Sequence, residues 1–107
     1  MIREVMPATN GLERGTEMRA LRARLMGLWA ARQLGLEGAA ADRYASEVIA
    51  TQRQLGRQGI TAKILRDAAR HDVGLSAHDV WTEFRLCDWE AQRHISRTQS
   101  TETSRPS

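Results

Sequence analysis

Leu21, Leu25 and Leu28, with Met18 and Trp29, recur at three- and four-residue spacing. That period places them on one face of a helix predicted from Glu17 to Leu34, with Arg19, Arg22 and Arg24 off that face. Periodicity stops at Gly35, which suits a helix C-terminal cap. Gly27 lies inside the helix, where glycine costs about 1 kcal/mol of propensity relative to Ala. A close helix–helix contact there is the physical reason to keep it. A second helix is predicted from Ala39 to Leu55, turning Ala41, Tyr44, Ala45, Val48, Ile49, Gln52 and Leu55 inward and Arg43, Glu47 and Arg53 outward. Small alanines beside Tyr44 let a neighbouring helix approach.

Gly56-Arg57-Gln58-Gly59 reads as a break. A short third helix follows, capped by Thr61 and ending near His71. Ile60, Ile64, Leu65, Ala68 and Ala69 form its apolar side, opposite Lys63, Arg66, Asp67 and Arg70. Ser76 and Asp79 stand at capping-box spacing and open a fourth helix from Ala77 to Ile95. Its predicted buried stripe is Val80, Trp81, Phe84, Cys87, Ala91 and Ile95. Trp89 sits off that stripe, placed either to cover a bundle edge or to meet a partner.

The ends carry no such pattern. Pro7, Asn10-Gly11 and Gly15 interrupt residues 1–16, which read as a flexible leader. Residues 96–107 hold Ser, Thr, Arg and Gln with nothing to cover a core, and read as a disordered tail. The expected fold is all-α: a single-domain four-helix bundle over residues 17–95 between leader and tail.

Composition narrows the function. A chain of 107 residues makes one domain, and its core must be mostly aliphatic because Tyr44, Phe84 and three tryptophans are its only aromatics. No run approaches a membrane span or a secretion signal, so no membrane insertion and a cytoplasmic location are expected. The lone Cys87 excludes an internal disulfide and a cysteine-rich metal site. Lying on the inner stripe, it reads as a buried inert thiol.

Chemistry-bearing patterns are sparse. His71, His78 and His94 lack a His-x-x-x-His spacing, and a zinc site from His71, His78 and an aspartate would be unspecific. There is no phosphate-binding glycine loop and no carboxylate pair in an apolar setting. An enzyme, a cofactor and a metal are therefore not expected. Charge is more informative: the net charge is +3, and all basic residues but Lys63 are arginines. Between Arg19 and Arg57 seven arginines face Glu37, Asp42 and Glu47, a local +4. Such a surface is either a solvated shell or a meeting place for phosphates or acidic protein.

The segment Arg24-Leu-Met-Gly-Leu-Trp-Ala-Ala-Arg-Gln-Leu-Gly-Leu-Glu-Gly38, followed by Ala41, Tyr44-Ala45 and Val48, resembles a small alphaproteobacterial family that includes the zeta-type inhibitor subunit of the F1 ATPase. Leu28-Trp29-Ala30-Ala31, Leu34-Gly35-Leu36 and Gly38 match that family's centre. Val73-Gly74-Leu75-Ser76 with His78 is similar to a second family segment. The resemblance covers about Met18 to Ile95. It implies a four-helix domain and a non-catalytic regulatory protein whose N-terminal arm enters the rotary ATPase and blocks hydrolysis. Its partners would be the α and β subunits of F1. Residues Met1 to Glu17 would supply the arm, with Arg19, Arg22, Arg24 and Trp29 as partner-binding residues at its junction with the body. This leader has Pro7, Asn10, Gly11 and Gly15 where the family is rich in Phe, Lys and Glu. The alternative reading is an Arg-rich helical module binding nucleic acid or an acidic protein.

Overall fold

The computed structural model describes the backbone of residues 6–103 and the side chains of residues 15–96. Three helices make up this region: α1 (Met6–Gln33), α2 (Gly38–Arg70) and α3 (Ala77–Thr103). The expected four-helix bundle is thus a three-helix one. The predicted second and third helices are a single α2, kinked at Gly56, whose φ of 68° and ψ of −159° are open to glycine alone. The break is one residue wide. Helical structure resumes at once through Arg57, Gln58 and Gly59. Thr61 is consequently no N-cap: its hydroxyl donates to the Arg57 carbonyl at 3.1 Å, a bond made inside a helix.

Both outer helices run further than their apolar periodicity. α1 begins at Met6 rather than Glu17. α3 continues past Ile95 to Thr103. Residues 1–5 of the leader and 104–107 of the tail lie outside the described residues.

The helix ends follow local sequence. The Leu36 amide donates to the Ala31 carbonyl at 2.8 Å and the Gly35 amide to Arg32 at 3.1 Å, with Gly35 at φ 79°. This is the cap expected at Gly35. The same motif closes α2, from Val73 to Ala68 and from Asp72 to Ala69, but with the non-glycine Asp72 at φ 57°. The capping box forms as read: Asp79 Oδ2 accepts from the Ser76 amide at 2.9 Å, and Ser76 Oγ accepts from the Asp79 amide at 3.1 Å.

Close approach of α1 and α2 sets the core. A Cβ at Gly27 would lie 2.6 Å from Ala45 Cα and 3.2 Å from Val48 Cβ. With backbones this near, small residues take the interface. The buried α1 positions among the described residues are Ala23, Met26, Gly27, Ala30 and Ala31, while Met18, Leu21, Leu25, Leu28 and Trp29 are partly buried. Tyr44, Ala45, Val48, Ile60, Ile64 and Ala68 answer from α2, and Val80, Phe84, Cys87 and Ala91 from α3. Three residues assigned to inward or apolar faces are exposed, Ala69 near the end of α2 among them. Leu55 is displaced by the kink and exposed, and Trp81 is 50% exposed on the outer side of α3.

Candidate partner interface

The four arginine and tryptophan positions expected to meet a partner separate into different environments. Arg22 turns inward. Its Nη1 donates to Asp88 Oδ1 at 3.1 Å, its Nη2 to Gln52 Oε1 at 3.4 Å, and its guanidinium lies 5.7 Å from the Phe84 ring centroid. Its Nε is buried without a protein hydrogen-bond partner. Arg57 reaches the same carboxylate from α2, with Nη2 to Asp88 Oδ2 at 2.8 Å and the guanidinium 4.7 Å from the Phe84 centroid. One aspartate on α3 therefore holds an arginine from each of the other helices. This bridge uses two of the seven arginines that make the first half basic.

Arg19 and Arg24 are exposed. Arg19 lines a cavity of about 240 Å³ between α1 and α2 with Thr16, Ala20, Ile49, Gln52 and Arg53. Trp29 is partly buried against the core. The structure thus leaves Arg19 and Arg24 available at the surface, commits Arg22 to an internal bridge, and gives Trp29 a packing role.

A second polar cluster was not legible as such. Lys63 and Asp67, placed by the sequence opposite the apolar side, turn inward toward Tyr44. The Tyr44 hydroxyl donates to Asp67 Oδ2 at 2.8 Å, and Lys63 Nζ donates to the same oxygen and to Glu47 Oε1, each at 3.0 Å. Lys63 Nζ also lies 4.8 Å from the Tyr44 ring centroid. Burial pushes the Asp67 carboxyl up, but hydrogen bonds from Lys63 and Tyr44 outweigh it and hold the carboxyl below the usual carboxylate range. Burial, reinforced by the Asp67 hydrogen bond and charge, pushes the Tyr44 phenol well above its ordinary value. The spacing of Tyr44 and Asp67 offers no signal for this contact, because the kink at Gly56 decides which residues of α2 meet.

The groups that could do chemistry are scattered. His71 Nδ1 is 2.9 Å from the Asp67 carbonyl, and His78 stacks on Trp81 at 6.0 Å. Among the described residues no cluster of His, Cys, Asp and Glu could hold a metal ion. Cys87 is buried, with Sγ 3.7 Å from Glu83 Oε2. Burial and the neighbouring Glu83 charge push its thiol up to about 12, so it stays protonated and unreactive at neutral pH. No helix among the described residues is long and apolar enough to cross a membrane.

The outer face of α3 is different in kind. Trp81, Leu86 and Trp89 are each at least half exposed, and Arg85 and Arg93 lie over the two indoles. Trp89 also borders a shallow cavity with Leu21 and Leu25 of α1, so it meets the bundle edge while staying 59% exposed. Of the two possibilities the sequence pattern left open for this residue, the fold shows the bundle-edge contact and leaves the indole largely exposed.

No curated protein and no solved structure matches the chain. A family profile does: that of the ATPase inhibitor subunit zeta matches residues 13–94, well over half of the chain. The match spans all three helices and includes the Gly27–Trp29 centre and the Ser76–Asp79 cap. By it, the chain is a non-catalytic regulatory protein resembling the F1 ATPase inhibitor subunit. The chain belongs to the ATPase inhibitor subunit zeta family.

Proposed function

We propose that this protein binds the F1 ATPase at its α and β subunits in the cytoplasm and blocks ATP hydrolysis without catalysing any step itself. The observation that carries this reading is the family match over residues 13–94. Residues Met1 to Glu17 supply the part that enters a catalytic interface. From Met6 onward they are the first turns of α1, continuous with the helix that packs at the centre of the body. Inhibition of this kind is mechanical. A rotary enzyme stops when an interface that must open is wedged, and a helix anchored to a folded body is a stiffer wedge than a free peptide, because less conformational entropy is lost on entry.

Arg19 and Arg24 stand at the junction of arm and body with their side chains exposed. They pair with acidic groups of the enzyme, whereas Arg22 and Trp29 hold the junction in place from inside. ATP hydrolysis by purified F1 tests this with the wild-type chain and with R19E/R24E. The wild type is expected to inhibit, and the double variant to need at least tenfold more protein for the same inhibition while keeping its helical circular dichroism. Equal inhibition by both would remove the two arginines from the junction.

A further inference from the structure

α3 buries Val80, Phe84, Cys87 and Ala91 on one side. The opposite side carries a row of large residues instead of the short polar ones that usually cover a helix facing water. His78 stacks on Trp81 at 6.0 Å, the Arg85 guanidinium lies 5.2 Å from the Trp81 centroid, and Arg93 lies 4.7 Å from that of Trp89. Trp81, Leu86 and Trp89 are 50%, 55% and 59% exposed. Exposed apolar residues grouped in one stripe and rimmed by charge mark contact sites. Tryptophan and arginine are also the residue types most enriched where binding energy concentrates.

Charge selects the occupant. The stripe formed by residues 78, 81, 82, 85, 86, 89 and 93 contains two arginines, and the exposed carboxylates Asp79 and Glu90 lie at its border, Glu90 beside Trp89 and Arg93. Neither Arg85 nor Arg93 has an acidic partner among the described residues. A second copy docking antiparallel about a two-fold axis at the middle of the stripe would set Arg85 against Arg93 of the other copy. Nucleic acid fits poorly too. Eight helical residues separate the arginines by about 12 Å, far sparser than a phosphate backbone, and each indole already has a guanidinium over its ring. An acidic helix suits both features, since carboxylates two turns apart match that spacing and an apolar seam between them covers the indoles.

We propose that the outer face of α3 is a docking surface for an acidic amphipathic helix on the F1 head, with carboxylates pairing Arg85 and Arg93 and apolar side chains seated on Trp81, Leu86 and Trp89. This rests on the reading of the chain as an F1 inhibitor. It adds a second contact, whose Trp89 end lies beside Leu21 near the base of the arm, that raises the effective concentration of the arm at its interface.

Co-sedimentation of the full chain with purified F1 tests it, using W81A/W89A, R85E/R93E and, as a control for charge, R43E/R70E on exposed positions of α2. Wild type and control should bind equally, and the two α3 variants at least tenfold more weakly. Binding of R85E/R93E and W81A/W89A as tight as wild type would overturn the docking surface and leave the inhibitor reading standing. Absence of binding by the wild type would remove both. Tight binding of a single-stranded oligonucleotide at physiological salt, lost in the same variants, would reassign the face to nucleic acid and overturn the proposal.

Discussion

Gly27 of α1 lies against Ala45 of α2 so closely that a single added methyl would stand 2.6 Å from the Ala45 Cα. The neighbour in that contact is backbone, which cannot swing aside. Gly27→Ala should therefore destabilise the domain by about 1–3 kcal/mol even though alanine is the better helix former. Urea unfolding reads this as a lower midpoint with an unchanged slope. A midpoint at or above that of wild type would mean that the helices can part at no cost.

Asp88 joins all three helices through Arg22 and Arg57. The Arg22 side chain is only 13% exposed, so removing its partner leaves a charge with little access to water. Asp88→Ala should cost about 2 kcal/mol, more than an exposed ion pair contributes. Its double-mutant cycle with Arg22→Ala should show coupling. Additive effects of the two changes would reduce the bridge to a surface contact.

The Tyr44–Asp67 pair fixes the pH limits of stability. Asp67 titrates below its unfolded value, so its stabilisation is complete above the ordinary carboxylate range and is lost as pH falls through the folded value. Tyr44 titrates above its unfolded value near 10, so its contribution is complete below that pH and declines as the unfolded phenol ionises above it. Thermal melts should show a stability loss on the acid side that is reduced in Asp67→Asn. They should also show a loss above pH 10 that is reduced in Tyr44→Phe. Identical acid and alkaline limbs in these variants would contradict the assignment.

Asp72 holds a left-handed backbone conformation, φ 57°, at the end of α2, where the matching position of α1 is Gly35. A side chain there costs about 1 kcal/mol or slightly more relative to glycine. Asp72→Gly should raise the melting temperature by several degrees. No rise, or a fall, would mean that the Asp72 side chain supplies a compensating interaction.

How much of this was legible depends on whether a feature is local. The Gly35 cap and the Ser76–Asp79 box follow from spacings of a few residues, and both form as the sequence implies. Gly27 was readable as a close contact because an interior glycine in an apolar helix lacks another use. The number of helices was not readable, because Gly56 and Gly59 signal a break equally well whether the chain leaves the helix or turns within one residue. Three residues around that kink were misplaced with it: Leu55 went outward, and Lys63 and Asp67 went inward to meet Tyr44, while Ile60, Ile64 and Ala68 are buried as their spacing implied. Trp81 was misplaced for a different reason. It lies at the border of the α3 apolar arc, where size and hydrophobicity assigned it to the core, whereas it is half exposed with His78 and Arg85 against its ring. Of the partner residues, periodicity put Arg19, Arg22 and Arg24 off the apolar face of the first helix. Only the position of Asp88 and Phe84 on another helix separates Arg22 from the rest.

The most direct measurement is the steady-state rate of ATP hydrolysis by purified F1 titrated with the full-length wild-type protein. The rate should fall along a saturable curve as protein is added. A rate that stays constant to a large molar excess, with the protein shown to be helical under the assay conditions, would contradict inhibition as the function of this chain.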